Sequence, residues 1–306
     1  MKIVTYSLYV DGPQRHTDYH EQLIYSVKSL RRYNQSVAVH AFLYGEYSAT
    51  FIAGLADHAV EVHPMGGYEE AIRRSYPGPC RALAAYPVLH KWLNFSALEH
   101  LTPDQILQSD CDTVFFDDVE ILFRTYTERD FYAREEPASR ASHYGYDPNY
   151  LDEDALHAVT QSEGAIAIHP CNIGVCILNH GLWREIAGRT GNFLSYAFRF
   201  AAGIARDSHR QDLLWPAMAN ALAHDLAERP EVAQLSYPSS NVWILDQLAL
   251  WLTLGQIPKL TCGFLSPDHV VQGSYEPGFG HAKVVHHYFG TDKAAFRSEI
   301  SRSLGW

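Results

Sequence analysis

The sequence predicts an α/β fold with a doubly wound, mostly parallel central sheet flanked by helices. Two observations carry that reading. Short strand-like runs alternate with segments whose apolar positions recur at helical spacing, and the connections between them are short. The second is the run from Ile106 to Phe116, which has the composition of a buried strand yet carries two carboxylates, Asp110 and Asp112, at its centre. In open sheets of this class ligands sit beyond the carboxyl ends of the strands, which is where the break at Asp110 is expected.

Taken in order, Lys2 to Tyr9 alternates apolar and polar residues and reads as a first strand, closed by Asp11-Gly12-Pro13. From Glu21 to Tyr33 the residues Leu23, Ile24, Val27 and Leu30 share a helical face. Arg31 and Arg32 fill the last turn, where the helix dipole favours cations. Val37 to Leu43 is a second strand, Thr50 to Asp57 a short helix and Ala59 to Val62 a third strand. Met65 to Pro79, rich in Gly, Tyr and Pro, is expected to be a loop, and Ala82 to Leu98 a helix that carries Lys91. A lone Lys on a helix is ordinarily solvated.

Beyond the acid-bearing run, Asp130 to Glu136 reads as a strand. Ser139 to Glu163 is polar with weak periodicity and is expected as a long, substrate-facing loop. It holds a second Asp-x-Asp, Asp152-Glu153-Asp154, which reads as solvated. Gly164 to Ile168 and Val175 to Leu178 are read as strands around Asn172-Ile173-Gly174, where Asn and Gly suit either a plain turn or the close approach of a ligand to backbone. Leu182 to Ile186, Asn192 to Ala205 and Gln211 to Leu226 follow as helices, and the aromatic face Phe193, Tyr196, Phe198, Phe200 reads as core. After a loop at Tyr237 to Asn241, Val242 to Leu254 is apolar at nearly every position and capped by Gly255. Asp246 and Gln247 interrupt it, and buried polar groups without a task are costly. A Gly-rich loop, Gly273 to Gly280, leads into a strand, Ala282 to Val285, and then to His286 through Lys293.

Bulk composition narrows the function. Hydrophobic residues make up 47% of the 306 residues and charged ones only 19%, the balance of a globular chain with ample core rather than a disordered one. A formal charge of −11 disfavours nucleic acid and anionic membrane as principal partners. Five cysteines without a Cys-x-x-Cys pair suit a reducing compartment. The N-terminus lacks the apolar core of a signal peptide, and no apolar run reaches the ~18 residues of a membrane span. A cytoplasmic protein without a transmembrane segment is the expectation.

Two carboxylates at i and i+2 project to one side of an extended chain. With hard oxygen donors and room left for phosphates, they describe an open Mg²⁺ or Mn²⁺ site. A bare Asp-x-Asp is a short pattern, so its place inside an apolar run is what gives it weight.

The tail adds His-x-x-Gly-x-x-Lys at His287, Gly290 and Lys293. Together with Asp110-Cys111-Asp112, Asn172-Ile173-Gly174 and Asp246-Gln247, in that order, it resembles the retaining nucleotide-sugar glycosyltransferases of the GT-A fold. The likeness is closest to family 8, which contains glycogenin and the bacterial lipopolysaccharide galactosyltransferases. It covers most of the chain as an ordered set of short motifs. The resemblance implies one GT-A domain over residues 1–306, with a nucleotide-binding half (1–116) and an acceptor and sugar half (117–306) that holds a helical elaboration. It also implies that Asp110, Asp112 and His287 ligate Mn²⁺, or Mg²⁺, imidazole favouring the former. Gly290 and Lys293 would hold the diphosphate. Tyr6 and Ser7 would sit by the base and ribose, Lys91 by the donor sugar and phosphate, and Asn172 and Gly174 along the sugar pocket. Asp246 and Gln247 would flank the anomeric carbon.

The donor so implied is a UDP-sugar, and the acceptor a glycan, lipid, protein or small metabolite. Three departures from the family pattern are visible: Lys91 replaces the customary Arg, Leu248 a second Asp, and Gln108-Ser109 the usual Leu-Asp. Two alternatives stay open at this level. One is an inverting GT-A transferase with Glu135, Glu136 or Asp246 as base, and the other a sugar-nucleotide or glycan-binding protein without turnover. A nucleotidyltransferase would share the Asp pair, but its Gly-rich phosphate loop has no counterpart here.

Overall fold

The computed structural model describes residues 1–9, 13–135, 153–166, 171–206, 216–230, 245–273, 284–288 and 293–304. Strand β1 (Lys2–Tyr9) lies inside the main sheet, and every residue of it from Ile3 to Leu8 is buried. It pairs in parallel with β2 (Ala38–Tyr44) on one side and with β4 (Gln105–Ser109) on the other. Strand β3 (Val60–Gly66) continues the parallel order outside β2. On the far side β7 (Cys171–Asn179) runs antiparallel to β4 and to β6 (Phe131–Glu135). Strand β8 (Cys262–Phe264) then closes the seven-stranded sheet in the order β3-β2-β1-β4-β7-β6-β8. A second sheet of three strands joins β5 (Thr113–Phe115), β10 (Val285–His287) and β9 (Val270–Gln272).

Period-two alternation sends successive strand residues to opposite faces. Val4, Tyr6 and Leu8 of β1 and Leu107 of β4 join one core with α1 (Pro13–Tyr33) and α2 (Ala49–Ala56). Ile3, Ile106, Cys176 and Leu178 join the other. That second core takes in α3 (Tyr68–Ser75), α4 (Arg81–Ala84) and the 3₁₀ segments Pro87–Trp92 and Phe95–Leu98. Further along the chain come α5 (Glu120–Thr125), α6 (Glu153–Ser162), α7 (Leu182–Ala187), α8 (Thr190–Arg206), α9 (Pro216–Glu228), α10 (Leu245–Gly255) and α11 (Lys293–Leu304). The aromatic face of α8 is core, as expected: Phe193, Tyr196, Phe198 and Phe200 are all buried. Among the described residues no helix is long and apolar enough to cross a membrane.

Several elements depart from the sequence expectations. Helix α1 begins at Pro13 rather than Glu21, Pro being favoured in a first turn whose N–H groups have no helical acceptor. The expected loop from Met65 to Pro79 contains α3. Acids in its first turn and Arg73 and Arg74 in its last complement the helix dipole, and Tyr68, Ala71 and Ile72 bury its inner face. The expected helix over Ala82 to Leu98 is instead one turn of α-helix and two 3₁₀ segments, because Pro87 has no N–H with which to continue the ladder. The long loop from Ser139 to Glu163 ends in helix α6, and 139–152 lie outside the described residues.

Of the strand expected from Gly164 to Ile168, residues 164–166 are not extended sheet: Gly164 is left-handed (φ +63°) and Ala165 N–H donates to Thr160 O. Ile168 lies outside the described residues, as do Tyr237 to Asn241 and most of the Gly-rich loop. Strands β8 and β9 are too short to show a period in sequence.

Candidate active site

The run from Ile106 to Phe116 divides between the two sheets, β4 in one and β5 in the other. Asp110 and Asp112 therefore lie in the turn between two strands and not on one face of a continuous strand. The turn is placed at the carboxyl ends of β1 and β4, where the chain order reverses from β3-β2-β1 to β4, a switch point of the kind that opens a crevice.

Side chains beneath the turn fix its shape. Tyr6 Oη lies 2.9 Å from Ser26 Oγ, Ser26 Oγ 2.7 Å from Thr113 Oγ1, and Thr113 Oγ1 donates to Asp110 O at 3.0 Å. Asp110 N–H donates to Gly174 O at 2.7 Å, and Asp112 O accepts from Tyr288 N–H at 2.8 Å. The antiparallel pairing of β10 with β5 puts His287 opposite Thr113. Two acids and an imidazole 175 residues beyond the second of them are thereby joined by backbone pairing.

The ligand atoms of Asp110, Asp112 and His287 all lie within 4.8 Å of one another. His287 Nε2 is 3.4 Å from Asp112 Oδ1 and 3.7 Å from Asp110 Oδ2. Gly174 makes this possible, since a Cβ there would overlap the His287 imidazole. Its N–H donates to Asn172 Oδ1 at 2.9 Å. Two carboxylates and one imidazole converging on a point fit a divalent cation.

Lys91 also contacts Asp110. Its ammonium, on a residue only 4% exposed, donates to Asp110 Oδ1 at 3.1 Å and Oδ2 at 3.3 Å, and sits 3.4 Å from Asp246 Oδ2. Burial alone would lower the Lys91 pKa, but Asp110 and then Asp246 outweigh it and hold the group charged. Asp246, itself 2% exposed, is pushed up by burial against the pull of Lys91. Helix α10 positions it, docked on β7 through Trp251 Nε1, which donates to Cys171 O at 3.1 Å. Next to Asp246, Gln247 is buried and its Oε1 has no hydrogen-bond partner among the described residues. Asp110 and Asp246 face the one ammonium and Asp112 stands beside Asp110 in the His287 cluster, so acids outnumber the lysine, an excess that a divalent cation would offset.

Of the residues singled out from sequence, Asp110, Asp112, His287, Lys91, Asp246 and Gly174 come together. Gly174 meets the imidazole of His287, and Lys91 is buried against the carboxylates of Asp110 and Asp246. Tyr6 is turned into the core: its side chain is fully buried and its hydroxyl bonds Ser26, because it faces α1 in the strand alternation. Ser7 points the other way and accepts from Asn94 Nδ2 at 2.6 Å. Gly290 lies outside the described residues; Lys293 opens α11, and its side chain is outside them. Glu135 closes β6, and Glu136 is not described. Sequence reading missed the Tyr6–Ser26–Thr113 prop and the clearance at Gly174, both of which depend on contacts between distant segments.

No protein-family model and no curated protein matches the sequence. Solved structures do. The galactosyltransferase LgtC, in complex with donor and acceptor sugar analogs, is similar at 13% identity over 99% of this chain and 96% of its own, with a TM-score of 0.50. An active-site variant of LgtC in which a glutamine is changed to glutamate matches equally. Mouse xyloside xylosyltransferase 1 matches at 12% identity over 95% and 98% of the two chains (TM-score 0.47). The glycosyltransferase GlyE of Streptococcus pneumoniae TIGR4 does so at 14% over 98% and 61% (TM-score 0.48). The chain has the GT-A glycosyltransferase fold.

Proposed function

We propose that this protein is a metal-dependent glycosyltransferase that moves a sugar from a nucleotide diphosphate donor, a UDP-sugar, to an acceptor hydroxyl with retention of anomeric configuration. The observation that carries the reading is the convergence of Asp110, Asp112 and His287 at the sheet's switch point, next to the buried Lys91–Asp246 pair. LgtC, whose fold this chain shares, was solved with donor and acceptor sugar analogs, which supports the substrate class.

Asp110, Asp112 and His287 would hold Mn²⁺ or Mg²⁺, which supplies electrostatic stabilisation of the charge that develops on a departing diphosphate. Lys91 donates to Asp110 and orients it, and holds Asp246 at the rim of the same cluster. Gly290 and Lys293, which follow the metal-binding imidazole in sequence, would bind the diphosphate. Asn172, with Tyr6 and Ser7 through their backbone, would border the donor.

Gln247 is a poor nucleophile. A same-face substitution, in which the acceptor proton passes to the leaving phosphate oxygen, therefore needs less of the protein than a double displacement. Asp246 is engaged by Lys91, which makes it a weak candidate for the free base that an inverting route requires. The existence of an active-site glutamine in LgtC supports a place for Gln247 beside the reacting carbon.

Thermal denaturation in the presence of a set of nucleotide sugars, with and without Mn²⁺, tests the proposal. A ligand that binds the folded chain raises its melting temperature according to occupancy. The expected result is a shift for UDP-sugars only when Mn²⁺ is present. NMR of the glycosidic product reads the anomeric configuration, and inversion would overturn the retaining scheme.

A further inference from the structure

The outer edge of the main sheet carries a second convergence of ligand atoms, separate from Asp110. His40 lies on β2, and Glu61 and His63 lie on β3, the edge strand. Glu61 and His63 are two residues apart and so share a face, and Glu61 is the register partner of His40. His40 Nδ1 is 3.0 Å from His63 Nε2 and 3.5 Å from Glu61 Oε2, and His63 Nε2 is 3.6 Å from Glu61 Oε1. Ligands about 2.0–2.1 Å from a tetrahedral zinc lie about 3.3–3.4 Å from each other. The three separations bracket that value.

The chemistry of the donors agrees with the spacing. Imidazole nitrogens and a carboxylate oxygen are donor types that zinc takes. His40 is 3% exposed, and its Nε2 has no hydrogen-bond partner among the described residues, so all its polar contacts are on the Nδ1 side. Phe42 stacks on His63 with ring centroids 4.7 Å apart and fixes that ring. The exposed ring of His100 has its centroid 6.1 Å from that of His63, within a side-chain movement of the cluster.

We propose that His40, Glu61 and His63 form a second metal site, for a late first-row divalent cation of the Zn²⁺ class, which clasps edge strand β3 to β2. Water or His100 takes the fourth position. Two imidazoles and one carboxylate favour Zn²⁺, whereas the two carboxylates of Asp110 and Asp112 favour a harder ion. The assignment is independent of the glycosyltransferase reading.

Calorimetric titration of the full-length chain with Zn²⁺ tests it. Asp112→Asn serves as the background so that the first cluster contributes little, and His63→Ala and Glu61→Gln are each added to it. The background chain is expected to bind one Zn²⁺ with micromolar or tighter affinity and to melt at a higher temperature when loaded. Either added substitution is expected to weaken binding at least tenfold and remove the melting shift. Glu61 is more than half exposed, so Glu61→Gln reports on binding even if His63→Ala fails to fold. Absence of binding in the background chain, or binding unchanged by Glu61→Gln, would overturn the proposal and leave the two histidines as a hydrogen-bonded pair only.

Discussion

Gly174 and His287 are fitted to one another: the imidazole of His287 fills the space in which a Cβ at position 174 would stand. The clearance lets β10 lie beside β5 with its histidine turned toward Asp110 and Asp112. Replacing Gly174 by Ala therefore forces the ring, or the strand beneath it, to move. The overpacking is expected to cost about 1–3 kcal/mol of stability. With His287 holding the ion as proposed, Mn²⁺ affinity should fall about 10–100-fold. Titration of Mn²⁺ against the melting temperature measures both, and unchanged affinity would show that His287 does not bind the ion.

Lys91 is the counter-charge to two carboxylates, one of them, Asp246, as deeply buried as the ammonium itself. Lys91→Met leaves Asp110 and Asp246 facing each other uncompensated, and loss of one partner from a buried pair costs about 3–5 kcal/mol. Adding Asp246→Asn removes the stranded charge on α10 and should recover a substantial part of the loss. Urea denaturation of the two single variants and the double variant checks the cycle. Strict additivity would mean that the contact between Lys91 and Asp246 carries no coupling.

Gln247 separates the two retaining routes. If it supports a same-face substitution without bonding to the sugar, Gln247→Ala should lower turnover about tenfold, or roughly 1.4 kcal/mol of barrier, with donor affinity nearly unchanged. Complete loss of turnover with intact donor binding would point to a covalent role for this position or its neighbour Asp246.

His90 makes a prediction about pH. Burial, and next the charge of Lys91, pull its pKa from the usual 6.5 to about 3. The folded chain therefore keeps this ring neutral, while the unfolded chain takes up a proton as the pH drops through 6.5. Folding stability is lost from this source as pH falls from about 6.5 toward 3, at a slope of about 1.4 kcal/mol per pH unit. Above pH 6.5 the group has no effect. A His90→Leu variant lacks the term, so the stability difference between it and the parent chain should grow in the variant's favour between pH 6 and 4. Parallel curves would show that the ring titrates normally.

The sequence made the first half of the sheet legible because β1, α1, β2, α2 and β3 keep clean periods and short connections. The acids of the site were legible for a different reason, since Asp110 and Asp112 interrupt an otherwise apolar run. Their geometry was not. Extended-chain alternation offers one way to bring them together, whereas the structure uses a turn between two sheets, propped by the hydroxyls of Tyr6, Ser26 and Thr113. Tyr6 shows the limit plainly: its place at the end of β1 is local information, but its side-chain direction depends on α1. Helix α3 was hidden because Gly66, Gly67, Tyr76 and Pro77 surround its eight residues with loop-forming types. The pairing of His40 with His63 joins residues on neighbouring strands and has no signature in either strand alone.

The most direct test is the release of nucleoside diphosphate from a UDP-sugar, measured with and without Mn²⁺, for the parent chain and for Asp112→Asn. The account predicts slow release that requires the ion even without acceptor, and its loss when Asp112 is changed. No Mn²⁺-dependent release from any nucleotide sugar, or release that Asp112→Asn leaves intact, would contradict it.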